Sequence, residues 1–196
     1  MPFEYYPDFV SEEAESFLLK TIYADATKWQ TRFTDRRMQT YGYQYLKGAT
    51  GLVVIDSVPV EFDGLLQRIR DLTDQTMNQM TINEYRPGMG IDSHYDHRTL
   101  FENKICGLTL GSGCNFILKK LPIEKRSEMY PCLEETTDVI VKYLAPRSLY
   151  VMSDEHRYNW THQIQKVHYD EVDGQKTKRH TRVSCTFRTV DQSKDG

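Results

Sequence analysis

The run DSHYDHR, residues 92 to 98, places two histidines and two aspartates within seven positions. It has no helical period and reads as extended chain. Alternate side chains of a strand share a face, so His94 and Asp96 fall together while Tyr95 and His97 look the other way. One imidazole and one carboxylate on a common face make two thirds of a facial metal site. Two histidines and a carboxylate, with the opposite side open, suit ferrous iron and leave positions for O2 and a co-substrate. His162, in the run WTHQI, is the choice for the third ligand, with His156, His168 and His180 competing for that place. The bland alternative is a pair of solvated side chains at a strand end, and Asp92 and His97 read by default as solvated turn residues.

A second chemical pattern lies near the C-terminus. In RVSCTFR, residues 182–188, Val183, Cys185 and Phe187 alternate with Arg182, Ser184, Thr186 and Arg188. The first set is apolar and can enter a core. The second holds two guanidiniums and two hydroxyls, which are expensive to bury unless the face meets water or an anion. An edge strand with its polar face in solvent satisfies that condition. So does a pocket for a small dicarboxylate, since each arginine can bind one carboxylate bidentately. Asn83 and Tyr85 alternate in the same way one strand before the His94/Asp96 pair. Their amide and phenol are candidates for the same pocket, the alternative for Tyr85 being a core aromatic with a satisfied hydroxyl.

These side chains need a frame to hold them. The chain of 196 residues carries a formal net charge of -3, is 39% hydrophobic and 27% charged, and suits one domain with a sizeable core. No apolar run approaches the ~20 residues of a spanning helix, and the first residues lack the basic head and apolar stretch of a secretory signal. Cys106, Cys114, Cys132 and Cys185 are scattered, which argues against a disulfide framework or a zinc site and for a reducing compartment, cytoplasmic or nuclear. The near-neutral charge neither advertises nor excludes nucleic acid, and a monomer without membrane attachment is expected. Ser11 opens a helix whose Glu12 and Glu13 suit the dipole and whose Phe17, Leu18 and Ile22 form an apolar stripe. A second helix is expected over 60–77, with Leu65, Leu66, Ile69 and Leu72 on one side. Strands follow over 80–86, 105–110, 115–118, 138–144, 148–152 and 182–190. Pro87 and Gly88 form a type II turn after the first, and a polar connector over 122–137 carries Lys125 and Arg126. Two helices followed by many short strands favour an α+β chain ending in an antiparallel sandwich or barrel.

Taken together, Asn83-x-Tyr85, His94-x-Asp96, His162 and Arg182-x-Ser184-x-Thr-Phe-Arg188 resemble the AlkB family of Fe(II)- and 2-oxoglutarate-dependent dioxygenases. The resemblance runs from about residue 80 to 190 and is sharpest in QMTINEYRPGMGIDSHYD, PRSLYVMSDEHRYNWTHQI and RVSCTFR. Within the family the segments look closest to the members that hydroxylate a modified wobble uridine of tRNA. The resemblance implies a double-stranded β-helix (jelly roll) over about 79–190. N-terminal helices and a nucleotide-recognition lid would occupy about 1–78, all within a single domain over 1–196. It implies Fe(II) on His94, Asp96 and His162, and 2-oxoglutarate lined by Asn83, Tyr85, Arg182, Ser184 and Arg188, with Arg182 on the distal carboxylate and Arg188 nearer the metal. Ser184 stands where many members have Asn, and Gln163 follows the distal histidine where Gly is usual. The tRNA-modifying relatives also carry an RNA-recognition and a methyltransferase domain, for which this chain has no room.

The expected substrate is a modified base in nucleic acid, RNA favoured over DNA, oxidised by N-demethylation or by stable hydroxylation. A base must leave its stack to reach a buried metal, so aromatic and guanidinium surfaces are expected at the entrance. The segment 34–43 offers Arg36, Arg37, Tyr41 and Tyr43; a sheet-edge strand with charged flanks is the structural alternative. The run KTKRHTR, residues 176–182, reads as a solvated loop rather than a phosphate grip, and Trp160 as packing. Two other functions stay open at this point: a 2-oxoglutarate oxygenase acting on protein or a small molecule, and a domain that keeps the sheet but only binds nucleic acid.

Overall fold

The computed structural model of the chain describes residues 3–31, 34–45, 52–123 and 138–190. The expected connector with Lys125 and Arg126, and Cys132, fall mostly outside them. In chain order the elements are β1 (Phe3–Tyr6), α1 (Glu12–Ala24), β2 (Arg37–Tyr41), β3 (Tyr43–Tyr45), β4 (Leu52–Val54), α2 (Asp63–Thr73) and β5 (Gln79–Tyr85). Then come β6 (Ile91–His94), β7 (Ile105–Gly111), β8 (Cys114–Lys120), β9 (Val139–Leu144), β10 (Leu149–Met152) and α3 (Asp154–Tyr158). The last are β11 (Trp160–Ile164), β12 (Tyr169–Val172), β13 (Gln175–Lys178) and β14 (Arg182–Arg188).

Among the described residues the strands form a six-stranded sheet, β1-β10-β7-β14-β5-β2, and a four-stranded sheet, β6-β11-β8-β9. Their pairings are antiparallel. This is the sandwich expected of a jelly roll. Strand β14 lies between β7 and β5, so the RVSCTFR strand is central, not an edge. Its alternation therefore serves two buried faces. Val183, Cys185 and Phe187 join Met80, Ile82, Cys106, Leu108 and Leu110 in a core covered by Leu18 and Ile22 of α1 and Leu65 and Ile69 of α2. Each fully buried side chain of this size contributes about 1.5–3 kcal/mol. The opposite face looks toward the smaller sheet, where Phe116, Leu118, Trp160 and Ile164 form a second core with Tyr85 and Tyr150.

Ser11 caps α1, its hydroxyl accepting from Ala14 N at 3.2 Å. Phe17 is 52% exposed, so the buried stripe narrows to Leu18 and Ile22. The second helix is shorter than the 60–77 expected from its pattern. A 3₁₀ turn (Val60–Phe62) opens it, and it ends at Thr73, where the Thr73 hydroxyl donates to Ile69 O and Asp74 turns left-handed at φ 53°. That turn frees Met77 to enter the core and leaves Leu72 partly exposed. The turn after β5 is type II, with Gly88 at φ 84° and Met89 N donating to Arg86 O. The basic run over 176–182, expected as a loop, instead contributes β13 and the first residue of β14. Its Arg179 is buried and holds Asp170 through two hydrogen bonds of 2.6 Å. No described helix is long and apolar enough to cross a membrane.

Candidate active site

His94 and His162 are cross-strand partners on β6 and β11, and their rings lie 4.3 Å apart. Strand β6 ends at His94, so Asp96 is not carried to the site by strand alternation. The turn that follows does this instead. Arg157 of α3, wholly buried, donates from one guanidinium nitrogen to Asp96 O at 2.9 Å and from another to His97 O at 2.6 Å. The result is a cluster in which one donor atom each of His94, Asp96 and His162 lie within 4.8 Å of one another. The rival His156 is occupied elsewhere, stacked on Trp160 at 4.7 Å, and His168 and His180 do not join the cluster. Asp92 pairs with Lys166, while His97 accepts from Leu100 N at 3.3 Å.

The protonation states suit a metal ion. Burial, and then the neighbouring His94, push the His162 pKa down to about 3, so its imidazole is neutral with a free lone pair. Burial acts to raise the Asp96 pKa. Arg188, both imidazoles and Arg157 outweigh it and hold the carboxyl well below the usual range, so it stays charged. His94 Nδ1 donates to Asp92 O at 2.8 Å, which leaves Nε2 for coordination.

Above these three side chains, the inner face of the six-stranded sheet forms the floor of a cavity of about 330 Å³. It is lined by His94, Asp96 and His162 on one side, and by Asn83, Tyr85, Arg182, Ser184 and Arg188 on the other. The register explains this. Arg182 pairs with Tyr85, Ser184 with Asn83 and Arg188 with Gln79, so alternate residues of β14 and β5 point into one space. Arg188 is directed to the metal side: Nε and Nη2 donate to the two Asp96 oxygens at 3.2 and 3.1 Å, and Nη1 donates to Gln79 Oε1. Arg182 is 3% exposed. Its Nη2 donates to Thr109 Oγ1 at 2.9 Å and to Ser184 Oγ at 3.3 Å, while Nε and Nη1 are buried without a partner. Two orphaned donors on a buried cation are a fit for a carboxylate brought by a ligand. Burial raises the Tyr85 pKa to about 12, so its phenol is a neutral donor there.

The residues expected at the entrance divide: those at β2 by alternation, and Tyr43 by the break at Gly42 that starts β3. Arg36 and Tyr43 line the cavity, with Arg36 Nε donating to Asn83 Oδ1 at 3.2 Å. Arg37 and Tyr41 do not, which corrects their placement. On β2 it is Met38 and Thr40 that face the cavity. Arg37 points to the other side, bound to Glu84 through two hydrogen bonds of 2.8 Å and packed over Trp29, and Tyr41 lies in the helix-covered core. Sequence reasoning missed Gln79, Thr81, Thr109, Tyr150 and Arg157. The alternation of β5 already contained the first two; the others follow from pairing and packing that no local pattern shows.

A profile of the 2OG-Fe(II) oxygenase superfamily matches residues 2–188. A protein of Acanthamoeba polyphaga mimivirus, named "Uncharacterized protein L905", is 35% identical over 95% of this chain and 84% of its own length. The Xenopus tropicalis "tRNA (carboxymethyluridine(34)-5-O)-methyltransferase alkbh8" is 30% identical over 95% of this chain, which spans only 31% of that relative. Among solved structures, that of OsALKBH1 superposes with a TM-score of 0.66 over 96% of both chains at 10% identity, a likeness of fold.

Proposed function

The chain belongs to the 2OG-Fe(II) oxygenase superfamily, and from that premise we propose that it oxidises a modified base in nucleic acid, with RNA, tRNA in particular, as the favoured substrate. Membership brings Fe(II), 2-oxoglutarate and O2. Together these supply oxidation of a substrate C–H bond, with 2-oxoglutarate converted to succinate and CO2. In our reading His94, Asp96 and His162 hold the metal. Arg182, Asn83, Tyr85, Ser184 and Arg188 surround 2-oxoglutarate, and Arg36 and Tyr43 meet the substrate at the mouth. Residues 1–196 act as one catalytic unit, the part before about 79 covering the jelly roll.

The protein's share is positioning and exclusion of water. Arg188 keeps the Asp96 carboxylate charged and oriented, Arg157 fixes the turn that presents it, and Arg182 offers two donors to an incoming acid. The observation that carries the reading is this last one: a buried guanidinium with two unpartnered donors opens on the same cavity as the three ligand side chains. The substrate decides the outcome. A hydroxyl set on a carbon bonded to nitrogen collapses to an aldehyde and a demethylated base, whereas one set on another side-chain carbon stays. The nucleic-acid assignment is supported by the motif resemblance to AlkB and by the name of the Xenopus relative, which specifies a carboxymethyluridine of tRNA.

The test is mass spectrometry of a mixed panel of modified RNA and DNA oligonucleotides after incubation with protein, Fe(II), ascorbate and 2-oxoglutarate, with succinate measured alongside. We expect succinate release coupled to a mass change in a modified RNA. Succinate without any oligonucleotide change would move the substrate to a protein or a small molecule. No succinate with any member of the panel would leave a binding domain and refute the enzyme reading.

A further inference from the structure

One polar group on the cavity floor has no part in the reading above. Tyr150 of β10 is 5% exposed and pairs across the sheet with Gly107 of β7, which pairs in turn with Thr186 of β14. A Cβ at position 107 would lie 2.2 Å from Tyr150 Cε1 and 2.6 Å from its hydroxyl oxygen. The phenol therefore covers the glycine, and no other residue type leaves room for it. Its hydroxyl reaches along the floor toward the row of Thr186, which lies between the rows of Ser184 and Arg188. Phe116 of the opposite sheet stacks on the ring at 4.9 Å and Phe3 flanks it at 5.9 Å. The ring is clamped and its rotamer fixed.

Tyr150 lines the cavity, and its hydroxyl, which makes no hydrogen bond to another described residue, is open to that space rather than sealed among the buried unpartnered atoms. Tyrosines with an apolar body and a wet tip commonly offer the hydroxyl to a ligand that enters the space it faces. Burial, then Asp96, raise its pKa, with Arg182 and Arg188 opposing. The group is thus a neutral donor that senses the metal-ligand carboxylate and both arginines of β14.

We infer that the Tyr150 hydroxyl is a further contact of the co-substrate, donating a hydrogen bond to an oxygen of the 2-oxoglutarate held in the cavity by Arg182. This rests on the proposed placement of 2-oxoglutarate on Arg182. The acid carries oxygens only on its two carboxylates and its 2-oxo group, so the contact fixes one of those ends and contributes to selection among oxo-acids of different length.

The test is calorimetric titration of the Zn(II)-loaded protein with 2-oxoglutarate, which reads binding without turnover. Y150F keeps the ring, its packing and the melting temperature but should bind about ten-fold more weakly, the range of one lost hydrogen bond to a charged acceptor. G107A, whose Cβ would displace the phenol, should weaken binding in the same direction. R182M is the control for the site itself. Unchanged affinity in Y150F with a clear loss in R182M would overturn the Tyr150 contact and leave the co-substrate site standing. Unchanged affinity in both would overturn the site and the contact with it.

Discussion

Arg182 and Arg188 stand at opposite ends of β14, share one face of it, and meet opposite electrostatic conditions. Arg188 has its anion built in: both Asp96 oxygens accept from it, and Gln79 and Thr81 take the remaining guanidinium edge. Arg182 has only two hydroxyls, Thr109 and Ser184, and two donors left over. An uncompensated buried cation is costly, so a fold that retains one invests stability in a receptor. The comparison teaches that two arginines of one motif can differ in kind. One anchors a carboxylate of the protein, and the other keeps two free donors, which in the proposed function meet a carboxylate of 2-oxoglutarate.

The contrast breaks most decisively at Asp96. D96A removes a proposed metal ligand and the anion of Arg188 together; turnover should vanish, and the apo-protein should lose about 3 kcal/mol in denaturant unfolding, the scale of a broken buried pair. R182M should do the reverse. Apo stability should hold or rise by about 1 kcal/mol, while 2-oxoglutarate affinity falls by on the order of 10²-fold or more; a destabilised R182M would show that Arg182 is structural like Arg188. R157M should weaken metal binding by about 10–100-fold through the turn that carries Asp96. Cobalt(II) absorption titration reads this directly, and wild-type affinity would mean that the turn holds itself.

A further effect is a pH dependence centred on His162. The His162 pKa lies near 3 in the folded chain against 6.5 unfolded. Between these values the unfolded state binds the proton and the folded state does not, so apo stability is full above about pH 6.5 and falls as pH drops toward 3. His97 and His156 are lowered in the same direction. The share that disappears in H162N therefore measures the effect of His162. Asp96, also lowered, adds its loss only below its ordinary value of 3.8. Melting curves of R182M should retain this profile, since Arg182 is not among the groups that shift His162 or Asp96.

Much of the site was legible because period-two alternation survives burial on both faces. Arg182, Ser184 and Arg188, and likewise Asn83 and Tyr85, point together for the reason their spacing suggests. The same rule misled at Asp96, which lies beyond the end of β6, and was applied too loosely over 34–43, where Arg37 and Tyr41 alternate away from Arg36, Met38 and Thr40, while Tyr43 follows the break at Gly42, φ 80°, and starts a new strand. The second helix was overread because its apolar pattern continues past Thr73 into Met77, while a left-handed Asp74 had already ended it. The basic run near the C-terminus looked like a loop because nothing local shows that Asp170 lies opposite Arg179.

The residue order alone determined which side chains share a strand face, where the acidic helix start and the Pro-Gly turn fall, and which donor types are present for a metal and an acid. These are short-range properties, settled by backbone geometry within a few residues. Only the tertiary structure decided that β14 is central, that Arg188 finds Asp96 while Arg182 finds no anion among the described residues, that Arg157 reaches from α3 to hold the turn carrying Asp96, and that a glycine lets Tyr150 cover the floor. Those facts depend on strands far apart in the chain coming into register, and no local pattern encodes the register.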